Sequence, residues 1–172
     1  MKKIIVLLLV IHIFLGLGAV SYGLDLKAET DKFTAKHSNF TFGLGWAGNE
    51  FLGVVTKDGL GYAESSYGLN NFLGFSYTWI YGTPTDEAIA DAAAEVAKEN
   101  GGEDKISLSD LKMLTKQKLN VGSQNYFRLG TVYLLVPFVA QYGWMFPVGD
   151  IARFQIGFGL PLLFNVGMNF DF

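Results

Sequence analysis

The sequence predicts an all-β protein: a small antiparallel up-and-down transmembrane β-barrel of about eight strands, carrying a helical hairpin insert. Three observations predict it. An export-type N-terminus is followed by a chain without a second long apolar run. Half of the residues are hydrophobic, 15% are aromatic and 21 are glycine, a combination unusual in a water-soluble globule. Several segments alternate bulky apolar residues with small or polar ones at the period of a β-strand.

The N-terminus has the layout of a secretory signal peptide. Lys2 and Lys3 precede an apolar run from Ile4 to Leu17, and Gly18, Ala19, Ser21 and Gly23 follow. The run is short for a spanning helix, which needs roughly 20 apolar residues. Residues 1–23 are therefore read as the signal, cleaved after Ser21 or Gly23, and residues 24–172 as a single domain. The chain has no cysteine, so neither disulfides nor lipid attached at a cleavage-site cysteine hold the exported protein. A net charge of −3 argues against a nucleic-acid partner.

The order of residues within the strands indicates which face is apolar. Phe40, Phe42, Leu44 and Trp46 share one face, with Thr41, Gly43 and Gly45 on the other. Leu73, Phe75, Tyr77, Trp79 and Tyr81 alternate with Gly74, Ser76 and Thr78. The segments starting at Phe127, Phe138, Ala152 and Phe164 repeat the pattern. Bulk and aromaticity fall on one face; glycine with Asn, Gln, Arg, Thr and Ser falls on the other. A water-facing strand gains nothing from glycine, whereas the narrow lumen of a small barrel needs the space. The apolar face is thus expected to meet lipid through Phe40, Phe42, Phe75, Tyr77, Phe138, Tyr142, Phe154, Phe158 and Phe164, and the lumen is expected to hold Arg128, Gln141, Arg153, Gln155, Asn165 and Asn169. On this reading Gln141 should tolerate a charge far better than Phe75 or Phe154. Glu50–Thr56 and a poorer segment, 59–69, complete the sheet, with 24–33 as a substitute for the latter. Pro137 is placed at a turn, because proline disrupts a central ladder.

Residues 82–122 break the alternation. Thr83 is read as an N-cap, with Pro84 at the first helical position and Asp86 completing the box; Asn100-Gly101-Gly102 ends that helix. Ser107 and Asp110 open a second. Apolar stripes (Ile89, Ala93, Val96; Leu108, Leu111, Leu114) and opposite charges (Asp91, Glu95, Glu99; Lys112, Lys116, Lys118) suggest a helical hairpin. Its surface is also suited to a protein partner or to a membrane surface.

The sequence offers little catalytic chemistry. His37 is the only histidine after the signal; Asp31 and Ser38 lie near it, but neighbouring positions do not make an acyl-transfer site. Glu29, Asp31 and His37 match no compact metal spacing. Gly43-x-Gly45 and Gly157-x-Gly159 lie inside strands and are not phosphate loops. The expectation is a protein without catalytic residues, metal or cofactor. Arg128 and Arg153 are expected to pair with interior carboxylates, Glu50 or Asp171.

The chain finishes on Asn165-x-Gly167-x-x-Phe170-x-Phe172. This resembles the C-terminal β-signal of bacterial outer-membrane β-barrel proteins, of the small OmpA/OmpX-like type but without an OmpA-like periplasmic domain. The resemblance implies that the barrel-assembly machinery reads the last strand and that outer-membrane lipid surrounds the product. It implies location in the bacterial outer membrane but identifies no functional subfamily; the role expected here is structural, adhesive or ligand-binding rather than enzymatic. Alternatives are a narrow channel for small or hydrophobic solutes and a soluble exported lipid-binding barrel. The helical insert would offer a surface or periplasmic protein partner. Deleting Phe172 is expected to slow assembly, measured as the fraction of folded barrel in cell envelopes after a pulse of synthesis; unchanged levels would remove the signal reading.

Overall fold

The computed structural model describes residues 25–133 and 136–172. The signal segment lies outside the described residues. Eight strands form one closed antiparallel barrel in which each strand pairs with its sequence neighbours: β1 (His37–Trp46), β2 (Glu50–Lys57), β3 (Ala63–Asn70), β4 (Phe75–Tyr81), β5 (Gln124–Val132), β6 (Val136–Val148), β7 (Ala152–Leu160) and β8 (Phe164–Asp171). Closure is made by β8 on β1, from Thr41 opposite Asp171 to Trp46 opposite Val166. The backbone pairing reaches the end of the chain, where Phe172 and Phe40 exchange hydrogen bonds of 2.8 and 3.1 Å. No sheet edge is left open, which removes the main route to strand-mediated aggregation.

Alternation sets the two faces. In β4, Phe75, Tyr77, Trp79 and Tyr81 are exposed while Ser76, Thr78 and Ile80 are buried. Six charged residues lie in the strands; all are buried except Glu64, beside Lys36 at one rim. Apart from Ser38, Thr56, Ser65 and Asn125 near the helical end, the outer face is mostly apolar, with aromatic contacts such as Tyr77–Trp79 (4.6 Å between ring centroids) and Phe42–Phe51 (5.4 Å). Pro137 is not in a turn. It is the second residue of β6, beside the register shift at Gly130/Thr131. A bulge tolerates proline because the ladder is already interrupted there.

Three helices gather at one end: α1 (Leu26–Thr34), α2 (Asp86–Glu99) and α3 (Leu108–Leu119). The 24–33 segment, read as a substitute strand, is thus mostly helix; Asp25 caps it, accepting from the Ala28 N–H at 3.1 Å. The first inserted helix starts later than the sequence suggested. Thr83 is engaged elsewhere: its hydroxyl donates to the Ala63 carbonyl and accepts from the Gln124 amide, tying β4 to β3 and β5. Thr85 takes over as N-cap, accepting from the Ala88 N–H at 3.2 Å. Ser107 caps α3 and shares a 2.6 Å hydrogen bond with the Asp110 carboxylate. Asn120 closes α3 in the left-handed conformation.

Helix packing centres on the β2–β3 turn. Phe33, Leu60, Tyr62, Ile89, Ala93, Val96, Ala97, Ile106 and Leu111 form one buried cluster. Gly59 lets α1 approach this turn: a side chain there would collide with the Lys32 carbonyl and the Phe33 backbone. Leu108, expected in the apolar stripe, is exposed. The hairpin charges pair as Lys118 with Glu95 (2.9 Å) and Glu99 (2.8 Å), while Lys116 reaches Asp150 in the β6–β7 turn (2.8 Å). Leu111 is wholly enclosed, so Leu111→Ala is expected to weaken the helical layer by about 2–5 kcal/mol. Amide exchange should accelerate across 86–119 while the barrel strands keep their protection.

Candidate functional site

The lumen is the most organised polar site in the molecule, and it holds the inward residues of every strand. In an eight-stranded barrel the interior is just wide enough to be filled by side chains. Two networks fill it here. In the half away from the helices, Arg128 is the hub. Its guanidinium donates to the Thr78 hydroxyl (2.9 Å), the Gly48 carbonyl (3.2 Å) and the Gln155 amide oxygen (3.0 Å), and lies 5.3 Å from the centroid of the Tyr126 ring. Gln141 donates to the Ala47 carbonyl and accepts from Asn165 at 2.8 Å; Tyr126 donates to Asn165 at 2.7 Å.

In the half nearer the helices, Arg153 forks onto Asp171 with two bonds of 2.8 Å. Thr41 donates to the same carboxylate at 2.8 Å, and Lys57 completes the cluster at 2.6 Å. Asp171 is therefore shared by two buried cations. Arg128 differs from the sequence expectation: among the described residues it makes no ion pair, and neutral acceptors hold it. Glu50 accepts from Ser66 at 2.5 Å through one oxygen, and the other has no hydrogen-bond partner. Its backbone carbonyl accepts from Asn169 at 3.2 Å.

The β1–β2 turn is part of the filling. Ala47, Asn49 and Glu50 are all buried, and the Ala47 and Gly48 carbonyls point at Gln141 and Arg128. Gly43, Gly45 and Gly167 leave the volume that Asn49 occupies; a Cβ on Gly167 would stand 2.5 Å from the Asn49 carboxamide. The inward glycines thus receive a folded-back turn.

The expected lumen residues Arg128, Gln141, Arg153, Gln155, Asn165 and Asn169 are all buried in this interior. Phe40, Phe75, Tyr77, Tyr142, Phe158 and Phe164 are exposed on the outer face; Phe42 and Phe154 are half-buried. The side chain of Phe138 lies outside the described residues. Gln141 changes the expectation of tolerance. It is enclosed and answers to Ala47, Arg128 and Asn165, so a charge there would be buried without a counter-ion. Of the terminal motif, Asn165 and Gly167 serve the lumen, Phe170 is half-buried and Phe172 is exposed.

Sequence reading missed Tyr126, Val55, Ile80 and Ala63, which form an apolar cluster inside the barrel with Met145, a residue that the alternation does place inward. Starting β5 at Gln124 rather than Phe127 would have put Tyr126 in line with Arg128. It also missed Asn49, because a turn residue folded inward leaves no periodic trace.

At the helical rim, a cavity of 330 Å³ is lined in part by His37, Lys57, Lys112, Asp150, Asp171 and Phe172. Lys116 holds the Asp150 carboxyl below its usual range. Burial, with the Asp58 charge beside it, pushes the Tyr62 hydroxyl up to about 12, so it stays neutral. Among the described residues no hydrogen bond joins His37 to Asp31 or Ser38, and no three His, Cys, Asp or Glu side chains are grouped to hold a metal ion. No family model matches the chain, and neither a curated protein nor a solved structure matches it.

Asp171→Ala leaves Arg153 and Lys57 buried without their carboxylate. The expected loss is about 3–5 kcal/mol, measured by urea unfolding of the refolded protein. Glu64→Ala, which removes the rim pair to Lys36, should change stability by under about 1 kcal/mol.

Proposed function

We propose that the chain is an integral β-barrel protein of the outer membrane of a diderm bacterium, exported by a cleaved signal and assembled through its last strand. Its role is structural, adhesive or ligand-binding, and not enzymatic. The inverted polarity of the barrel carries this reading: the outer face of the strands is mostly apolar, and five of the six strand charges sit inside. A protein folded for water buries the first and exposes the second. In lipid the arrangement is the stable one, since a closed barrel satisfies every strand N–H and C=O internally.

Four strands precede the α2–α3 insert, so the helices share the end where β1 begins and β8 finishes. With both termini on the periplasmic side, the helical layer is periplasmic. Its charged surface is the one on which a periplasmic partner or ligand would bind. Outer-membrane lipid and, during biogenesis, the barrel-assembly machinery are the other partners.

The two alternatives have less support. A solute channel needs open lumen, and here Arg128, Gln141 and the folded-in β1–β2 turn occupy it. A soluble lipid carrier needs an apolar cavity inside a polar wall, the reverse of this distribution.

Gel mobility tests the proposal. Protein extracted from the outer-membrane fraction should run as a compact band in SDS when unheated and shift on boiling. Recovery only in the soluble periplasm, with no shift, would overturn it in favour of the carrier.

A further inference from the structure

The two ends of the barrel are chemically opposite. The helical end carries Lys36, Asp58, Glu64, Asp150 and the charges of the helices. The other end, the tip, is formed by the turns after β1, β3, β5 and β7. From Leu44 to Phe51, from Gly68 to Phe75, and from Phe158 to Phe164 the only charged residue is Glu50, which is buried. The large apolar side chains exposed at the tip include Trp46 (67%), Leu73 (67%), Tyr133 (69%), Leu163 (76%) and Phe164 (74%), beside the exposed Asn71.

Turn chemistry differs in the same sense. At the helical end, the residues with positive φ are Gly61, Gly82, Gly101, Gly102, Asn120 and Gly149, the types that adopt this conformation at least cost. At the tip, Ala47, Leu73 and Tyr133 adopt it beside Gly48. A non-glycine residue held there costs on the order of 1–3 kcal/mol. Water-facing turns have no use for a leucine or a tyrosine in that position; an apolar surrounding does.

Asn70 and Asn71 bind the backbone of the tip turns internally. Asn70 accepts from the N–H groups of Phe72 (3.0 Å) and Gly74 (3.1 Å) and donates to the Thr131 carbonyl (3.0 Å). Asn71 accepts from the Gly48 N–H (2.6 Å) and donates to the Gly45 carbonyl (2.8 Å). The Tyr133 N–H reaches the Phe72 carbonyl at 3.1 Å, and Gly159 reaches Leu163 at 3.2 Å. Irregular backbone in contact with hydrocarbon requires such satisfaction, whereas in water solvent would supply it.

Strand length agrees. Apart from β6, the strands have 7 to 10 residues. At about 3.3 Å per residue and a tilt of about 40° they rise about 18–25 Å, no more than the lipid-facing band of about 25 Å found on such barrels. β6 is longer, and its residues 136–139 continue past the end of its pairing with β7 at Ala140 opposite Leu160.

We propose that the tip is a lipid-contact surface: its turns are seated among the acyl chains of the far leaflet and are not displayed in water. This rests on the membrane reading above. A tip-to-tip pair of copies would also cover Leu73 and Leu163, but the apolar surface continues from the tip down the outer face through Phe75, Phe158 and Leu160. Only lipid covers both without a break.

The chain has no cysteine, so single-cysteine variants of the full protein test this. Leu163→Cys and Leu73→Cys mark two tip turns, Ile156→Cys the middle of the outer face, and Glu87→Cys the exposed side of α2. Each is folded into dioleoylphosphatidylcholine vesicles and met from both sides, after freeze–thaw, by a charged maleimide. Glu87→Cys should react at once, and the other three on the order of tenfold more slowly or worse. A bimane on the tip cysteine should be quenched when the acyl chains are brominated. Rapid labelling of both tip variants with Ile156→Cys protected overturns this inference and leaves the membrane barrel standing. Rapid labelling at Ile156→Cys overturns both. Protection at the tip without bromine quenching overturns lipid as the occupant and favours a second copy.

Discussion

The carboxylate of Asp171 is the point on which the closed form depends. It lies one residue from the chain end, in the strand that closes the barrel onto β1, and accepts from Arg153 of β7, Thr41 of β1 and Lys57 of β2. Four strands on both sides of the closure are therefore cross-linked through one side chain. The geometry is the favourable kind, a fork onto a carboxylate within a buried site. Burying these charges gains little over a packed apolar core, but leaving any of them unpaired is costly. The network thus acts on register: a one-residue slip of β8 would turn Asp171 outward and strand two cations inside.

The same constraint explains the use of glycine. An eight-stranded lumen has no volume to spare, yet it contains Arg128, Tyr126, Gln141, Gln155 and an inward turn. Space comes from Gly43, Gly143, Gly157 and Gly167, where an added Cβ would meet backbone or the side chains of Asn49, Tyr126 and Asn165. Large and small inward residues are complementary across strands. An inward position is decided by what stands opposite, which is why the polar side chains of the lumen are long and their neighbours absent.

This also marks what a sequence can disclose. The faces of β4, β7 and β8 were legible because side chains alternate at period two whatever the partner strand. The lumen candidates followed from the same parity. Pairings inside the lumen were only partly legible: parity puts Arg128 and Arg153 on one face, but only the register decides that Arg153 meets Asp171 while Arg128 meets Thr78 and Gln155. The N-terminal helix escaped because its sequence, LKAETDKFT, buries essentially one side chain, Phe33; a single anchor makes no stripe. Thr83 resembled a cap because capping depends on a nearby free N–H, and the competing Ala63 carbonyl lies far away in sequence. Errors of this kind concentrate where long-range hydrogen bonds displace local ones.

The terminal motif has structural causes. Asn165 is fixed by Tyr126 and Gln141, Gly167 by the bulk of Asn49, and the backbone of Phe172 by Phe40. Asn165 and Gly167, and the backbone of Phe172, therefore have a structural reason that would hold even if no machinery read the strand. A strand that must insert last into a nearly closed barrel has to offer small or hydrogen-bonding groups to a filled lumen and an apolar row to the outside. Those are also the features by which such a strand can be told from any other. On the proposed reading, recognition and closure select the same residues, so a substitution on the inward positions tests the lumen, and one at the outward-facing terminal Phe172 separates recognition from packing.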